Sequence, residues 1–421
     1  MFKRFALSIL VACGLVFSFA SVAFGDSPAP GYEIIGRFGP TNLPPGGIGA
    51  LFLYVYNLGG AKGSEGPTVT DRLPAGLEAI NEIVYEGNPT KLSEECSGGT
   101  VVTCRLVPMG IGGQPAIVKI PVRVSANPLS EPDRVTVSGG GALGVANATV
   151  PVHYGTGPAP LGFANEDAWV TNADGTVDTQ AGSHPYELTV AFATNSAGVG
   201  NGHEKPSGGE PRFLDANLPP GVVGEPGAVP KCTRRQFDGE ECPPNTQIGE
   251  NYPSVSGPNL TPEAVYNLVP PPGVAAEFGF TFVGVSVFLD ARVRSGGDYG
   301  ITEHANIPQR KVVFNTTTIW GIPGEHGTGA EDKPLLTLPT SCGEPPVFSL
   351  EEIGTWENES LNGPPISFPM HNSEDDPVGI TGCEKLKHFQ PFINLAPDTS
   401  FSDTPAGLST IVKVPQGLNP E

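Results

Sequence analysis

The stretch "YVYNLGGAKGSEGPTVTDRLPAGLEAI", Tyr54 to Ile80, decides the fold class. Its aromatic and β-branched runs suit a pleated, half-buried surface and are parted by glycines that reverse the chain. Pro74 and Gly76 end the second run and turn the chain, while Leu73 and Leu77 face a core. Working outward, "YEIIGRF", "GALFLYVYN", "PTVTDRL", "TVVTCRL", "AIVKIPVRV", "DRVTVSG" and "NATVPVHY" are β-type runs bounded by Gly, Pro, Asn or Ser. Seven such runs between Tyr32 and His153 match an immunoglobulin-like sandwich, expected over residues 31–154.

The same stretch resembles the bacterial domain-of-unknown-function-eleven repeat, through Asn57, Gly59, Asp71, Leu73, Pro74, Gly76 and Leu77. The resemblance covers about a quarter of the chain. It implies an immunoglobulin-like module of the kind used as an extracellular spacer, and it carries over no catalytic residues.

Residues 155–162, within "YGTGPAPLG", are Gly/Pro-rich and aperiodic, and are expected to link two regions. From 163 to 421 the β-pattern resumes in "YELTVAFAT", "AEFGFTFVGVSVFLDARVRS" and "RKVVFNTTTIWGI", which predicts one or two further sandwiches. The best helix candidate is Thr261 to Leu268. "TTTIWGIPGEHG", "PLLTLPTSCG" and "GTWENES" resemble motifs of large exported proteins of high-GC actinobacteria, a group with no established activity. In that group a Leu-Pro-x-Gly turn followed by a cysteine pair recurs. "DRLPAG", "DANLPPG" and "VKVPQG" echo it, so a fragment or a short member is expected.

The 421 residues suffice for two or three domains, and the 56 glycines and 46 prolines punctuate apolar runs rather than replace them. Residues 1–25 read as a secretory signal: Lys3 and Arg4, then an apolar core, then Ala23-Phe24-Gly25 before Asp26. Leu10-Val11-Ala12-Cys13 resembles a lipoprotein acylation site. The apolar run before Cys13 is short and continues beyond it, so ordinary export is the reading. Loss of Lys3 and Arg4 takes the net charge from -21 to -23, which excludes a nucleic-acid surface and gives no support for an anionic membrane. The expected location is extracellular or at the cell surface. Six cysteines then remain, and an exported chain with an even count predicts disulfides among Cys96, Cys104, Cys232, Cys242, Cys342 and Cys383. Sequence proximity pairs them in that order, and other pairings stay open.

Candidates for chemistry are few. In "DTQAGSHPYELTV" Asp178, Ser183 and His184 lie close. Ser183 and His184 are adjacent on an extended segment and point to opposite faces, which predicts a turn into a strand rather than a triad. "NADGTVD" offers Asn172, Asp174 and Asp178 as calcium ligands but lacks the closing Glu, and reads as an Asp-Gly turn. "HNSEDDPVG" groups His371, Glu374, Asp375 and Asp376, read as a solvated charge run. His203, His304, His326 and His388 are isolated, and "LPTSCG" is internal and no sorting signal. Trp356 among Glu351, Glu352, Glu357 and Glu359 is the one candidate sugar platform, with Trp356, Glu357 and Glu359 as its ligand-binding residues. No catalytic residue, metal or cofactor is expected. These features predict a non-catalytic structural or adhesive protein of the surface or extracellular matrix, with wall or extracellular polysaccharide or other surface proteins as partners. The alternative is a secreted carbohydrate-binding protein or glycoside hydrolase.

Overall fold

The computed structural model describes residues 27–80, 84–86, 96–200, 203–255, 262–358, 362–386 and 391–413. The segment read as a secretory signal, with Cys13, and also Glu359 and His388, lie outside the described residues.

The seven expected runs of the first region all form strands, and the class is all-β throughout. One sheet orders β1 (Tyr32–Gly39), β2 (Ile48–Asn57), β6 (Gly112–Val124) and β4 (Leu77–Ala79), numbered in chain order. The facing sheet orders β8 (Ala146–Val150), β7 (Asp133–Gly139), β3 (Pro67–Arg72) and β5 (Val101–Arg105). Alternation along β3 puts Val69 and Asp71 inward and leaves Thr68, Thr70 and Arg72 on the outer face. Leu53, Val69, Val118 and Val135 meet in the core between the sheets. Cys96 and Cys104 are bonded across the edge of the second sheet.

The second region, for which the sequence leaves one or two sandwiches open, is built on one eleven-stranded sheet, with three two-stranded ribbons beside it among the described residues. Its members in chain order are β9 (Phe163–Thr171), β10 (Glu187–Thr194), β11 (Pro211–Asn217), β12 (Gln247–Val255), β13 (Glu263–Leu268), β14 (Ala276–Phe282), β15 (Val285–Val293), β16 (Ile301–Asn306), β17 (Val312–Trp320), β18 (Val347–Thr355) and β19 (Ile366–Pro369). They are hydrogen-bonded, antiparallel, in the order β9-β10-β17-β12-β13-β14-β15-β16-β11-β18-β19. The two ends of this order meet: His371, just past β19, pairs with Trp169 of β9, and its N–H donates to Ala168 O at 3.0 Å. The sheet is therefore curled into a barrel. The residues facing its interior, among them Leu188, Phe192, Phe278, Phe280, Leu289 and Phe348, form one apolar cluster.

The expected helix at Thr261–Leu268 is corrected: Glu263–Leu268 is strand β13, paired on both sides. Six residues cannot separate the two periodicities, and the ladder bonds decide. The described α-helix is α1 (Arg234–Asp238), started by a Thr233–Gln236 capping box and tied by the Cys232–Cys242 disulfide. Phe237 of α1 packs with Leu268 against the outside of the barrel. A third disulfide joins Cys342 to Cys383.

The two domains are packed, not strung. Segment 155–162 has no strand, yet Ala159 and Leu161 are buried, Leu161 in the barrel cluster. Strand β1 is buried along its whole length because its second face lies on the barrel. Ile35, Tyr54, Tyr56 and Ile117 of the sandwich meet Trp169, Ala191, Tyr252 and Phe314 of the barrel wall. Tyr54 and Phe314 stack with centroids 3.7 Å apart. Arg37 and Glu204, 3 % and 7 % exposed, form a 2.6 Å ion pair at this junction.

Candidate functional site

The barrel wall encloses a cavity of about 240 Å³. Period-2 alternation explains its lining: Val190 and Phe192 of β10, Phe278, Phe280 and Phe282 of β14, and Val287 and Leu289 of β15 all point inward. Few polar groups enter. Asn251, Asn315 and Thr317 line one side, where Asn251 Nδ2 donates to Thr317 Oγ1 at 2.8 Å. Glu303 of β16 lines the other, and burial alone pushes its carboxyl up to about 7. Among the described residues no donor or cation reaches that carboxylate.

A second constellation lies where the barrel closes on the sandwich. Asp167 of β9 and His371 and Asp375 of the loop after β19 each offer a ligand atom, all within 4.8 Å of one another. His371 Nδ1 lies 2.7 Å from Asp167 Oδ1, and the same oxygen accepts the Ala168 N–H at 2.7 Å. Burial raises the Asp167 carboxyl to about 6, against the pull of His371. Burial opposes the charged form of His371, but its bond to Asp167 and the charges of Asp167, Asp375 and Asp376 raise it overall. Glu33 of β1 is buried beside them. Burial, then the charges of Asp167 and Asp375, hold its carboxyl well above the usual range. The adjoining polar cleft of about 280 Å³ also includes Asn165 and Glu166. Oxygen and imidazole donors of this kind suit a divalent cation. As drawn, His371 is the partner of a buried carboxylate. The run "HNSEDDPVG" reads as solvated because its first six residues, His371 to Asp376, are all polar. Closure of the barrel is what carries His371 onto Asp167, and no local signal announces it.

The residues singled out by sequence do other work. Ser183 Oγ donates to Asp178 Oδ2 at 2.7 Å, while His184 Nδ1 faces Leu336 O at 2.9 Å on the other side. They form no relay. In the Asn172–Asp178 turn, Asp174 Oδ1 accepts from Thr176 N and Oγ1, and Asp178 Oδ1 from Gln180 N. This turn is a latch between domains: Ala173 O accepts the N–H groups of Ala29 and Gly60, and Thr171 Oγ1 donates to Leu58 O. Gly175, at φ +79°, approaches Gly31 so closely that a Cβ would lie 2.4 Å from its Cα.

Trp356 is 43 % exposed, but its Nε1–H donates to Ile307 O at 3.1 Å and Arg212 lies over its ring at 5.3 Å. Glu357 accepts the Glu210 N–H at 2.7 Å, and Glu351 bonds Ser349 and Asn217. Glu351 and Glu357 thus tie neighbouring segments of the barrel together.

His326, isolated in sequence, is stacked between Tyr186 and Trp320, with centroids 4.2 and 4.4 Å away. Burial lowers it to about 4, while burial and the charge of Glu250 push Glu187 well above the carboxylate range. Their 3.9 Å approach therefore joins two neutral groups and is no ion pair.

Among the described residues no helix is long and apolar enough to cross a membrane. The sequence matches no protein-family model and no curated protein. Among solved structures, a partial N-terminal region of an enterococcal surface protein is similar at TM-score 0.24 and 8 % identity, over 82 % of this chain and 96 % of that one. A putative membrane-anchored protein of Corynebacterium diphtheriae is similar at TM-score 0.21 and 8 % identity, over 84 % and 97 % of the two chains. A DUF4466 family protein of Parabacteroides merdae gives TM-score 0.20 and 11 % identity, over 70 % and 99 %. Scores this low carry nothing from those proteins to this chain.

Proposed function

We propose that the chain is a non-catalytic structural or adhesive element of the cell surface or extracellular matrix, working as one stiff unit of two β-domains. The observation that carries the reading is the junction. An aromatic stack, a buried ion pair and the Asn172–Asp178 latch bind sandwich to barrel, and flexible hinges lack such contacts. Three disulfides suit an oxidising exterior, and the basic-then-apolar leader supports export. The residues considered for hydrolysis are engaged in turns and strand ends, which also favours a structural role. The first region is read as a repeat of the domain-of-unknown-function-eleven type.

Fractionation of the native host tests this. An antibody against the mature region should find the protein at the wall or in extracellular matrix. A freely diffusing protein that retains or cleaves polysaccharide, and loses this on Trp356→Ala, would replace the reading with the carbohydrate one.

A further inference from the structure

We propose that the barrel interior is a binding site for an apolar molecule carrying one hydroxyl or amino head, and that Glu303 receives that head. A row of side chains crosses four neighbouring strands at one level. In the ladder register Ala276 of β14 faces Ala291 of β15, Ala291 faces Glu303 of β16, and Glu303 faces Ala216 of β11. All four line the cavity, as does Ala305, two residues along β16. An inward carboxylate thus has a methyl group on each flank where a bulkier side chain would cover it. The alanines leave room for a ligand atom beside the carboxylate.

The rest of the wall selects the body of the ligand. Phe278, Phe280, Phe282, Val287 and Leu289 offer only hydrocarbon. An engineered apolar cavity of about 150 Å³ admits a benzene ring in another protein, so the larger space here accommodates a ring with a chain or a medium-length chain. The head follows from the polar inventory. Glu303 has no protein partner among the described residues, and Asn251, 1 % exposed, keeps its Oδ1 without a hydrogen bond. A cavity-lining acceptor with no donor, as Glu303 is, favours a donor on the ligand's head. Glu303, raised by burial to about 7, accepts from a hydroxyl or an ammonium head alike, whereas a carboxylate head brings a second acid with no donor and pairs only by taking up a proton. This pattern, an apolar pocket with a few oriented polar groups, is that of small-molecule sites in general.

The test uses the mature chain and three probes of equal chain length, n-decanol, n-decylamine and decanoate, in calorimetric titrations at pH 7. The alcohol and the amine are expected to bind with one-to-one stoichiometry, and decanoate at least about tenfold more weakly. Ala291→Phe, which fills the space beside Glu303, should abolish binding of both while the far-UV circular dichroism is retained. Should that variant fail to fold, Glu303→Gln serves. It removes the charge at constant volume and should weaken the amine about tenfold while changing the alcohol little. Absence of heat for all three probes overturns the proposal. So does decanoate binding as tightly as decylamine, or a folded Ala291→Phe protein that binds undiminished. None of these outcomes bears on where the protein resides, so the structural reading stands or falls separately.

Discussion

Asp71 and Asp133 show how far one residue can be read from sequence. Asp71 is legible as part of the strand-and-turn pattern around Leu73-Pro74, but its partner is not, because β3 and β7 are neighbours only in the folded sheet. Both side chains are fully buried and bond to each other, and among the described residues no other donor reaches either Asp71 oxygen. Burial, then the charge of Asp133, raises Asp71; burial raises Asp133 too. The pair therefore keeps a proton that the unfolded chain, with carboxyls near 4, releases. A carboxyl raised on folding contributes stability below its unfolded value and loses it as pH climbs through the folded one. Glu33, Glu166, Glu187 and Glu303 act in the same sense, with Glu166 and Glu303 each raised by burial to about 7. His326, lowered by burial, opposes them only below its ordinary value near 6.5. Unfolding free energy should thus fall between pH 6.5 and 9, by up to about 1.4 kcal/mol per unit for each group still protonated in the fold, Glu166 and Glu303 contributing only up to about 7 and Asp71 up to about 9. Urea titrations at several pH values measure it, and Asp71→Asn should flatten the slope. A rise over that interval would contradict the assignment.

Elements were legible where the chain alternates and is punctuated. The strands of the first region follow from aromatic and β-branched runs ended by Gly and Pro. Barrel closure is not legible, since it rests on pairings between residues about 200 positions apart in sequence, Trp169 with His371 and Gln180 with Thr381. The same non-locality hid Asp167, His371, Asp375 and Glu303, whose neighbours are assigned by register. The short helix α1 is not legible because five residues give no period. Its stability comes from the cap at Thr233, the Cys232–Cys242 bond and Phe237 under the Cys232–Leu268 contact. Replacing both cysteines by serine should cost about 2–3 kcal/mol. Hydrogen exchange should localise the change to residues 232–242, whereas protection lost evenly across the barrel would argue that the bond acts on the whole domain.

At the scale of the molecule, the junction and the cavity oppose each other. An unfilled apolar cavity of this size costs about 6 kcal/mol at the usual rate per unit volume, a large share of a typical net stability of about 5–15 kcal/mol. The junction supplies compensation through Tyr54, Tyr56, Trp169 and Phe314, all nearly inaccessible to solvent. Phe314→Ala should destabilise by about 3–5 kcal/mol. Glu204→Ala should cost about 3–5 kcal/mol by stranding Arg37, and the pair Arg37→Met with Glu204→Leu should cost far less. Gly175→Ala should act at the same seam, where Gly31 leaves no space and the left-handed backbone disfavours a side chain.

The most direct test of the central claim, that sandwich and barrel form one stiff unit, is differential scanning calorimetry of the mature chain at neutral pH. One transition is expected, with calorimetric and van't Hoff enthalpies equal, and its division into two by Gly175→Ala. Two separate transitions in the unaltered chain, with sandwich and barrel melting independently, would contradict it.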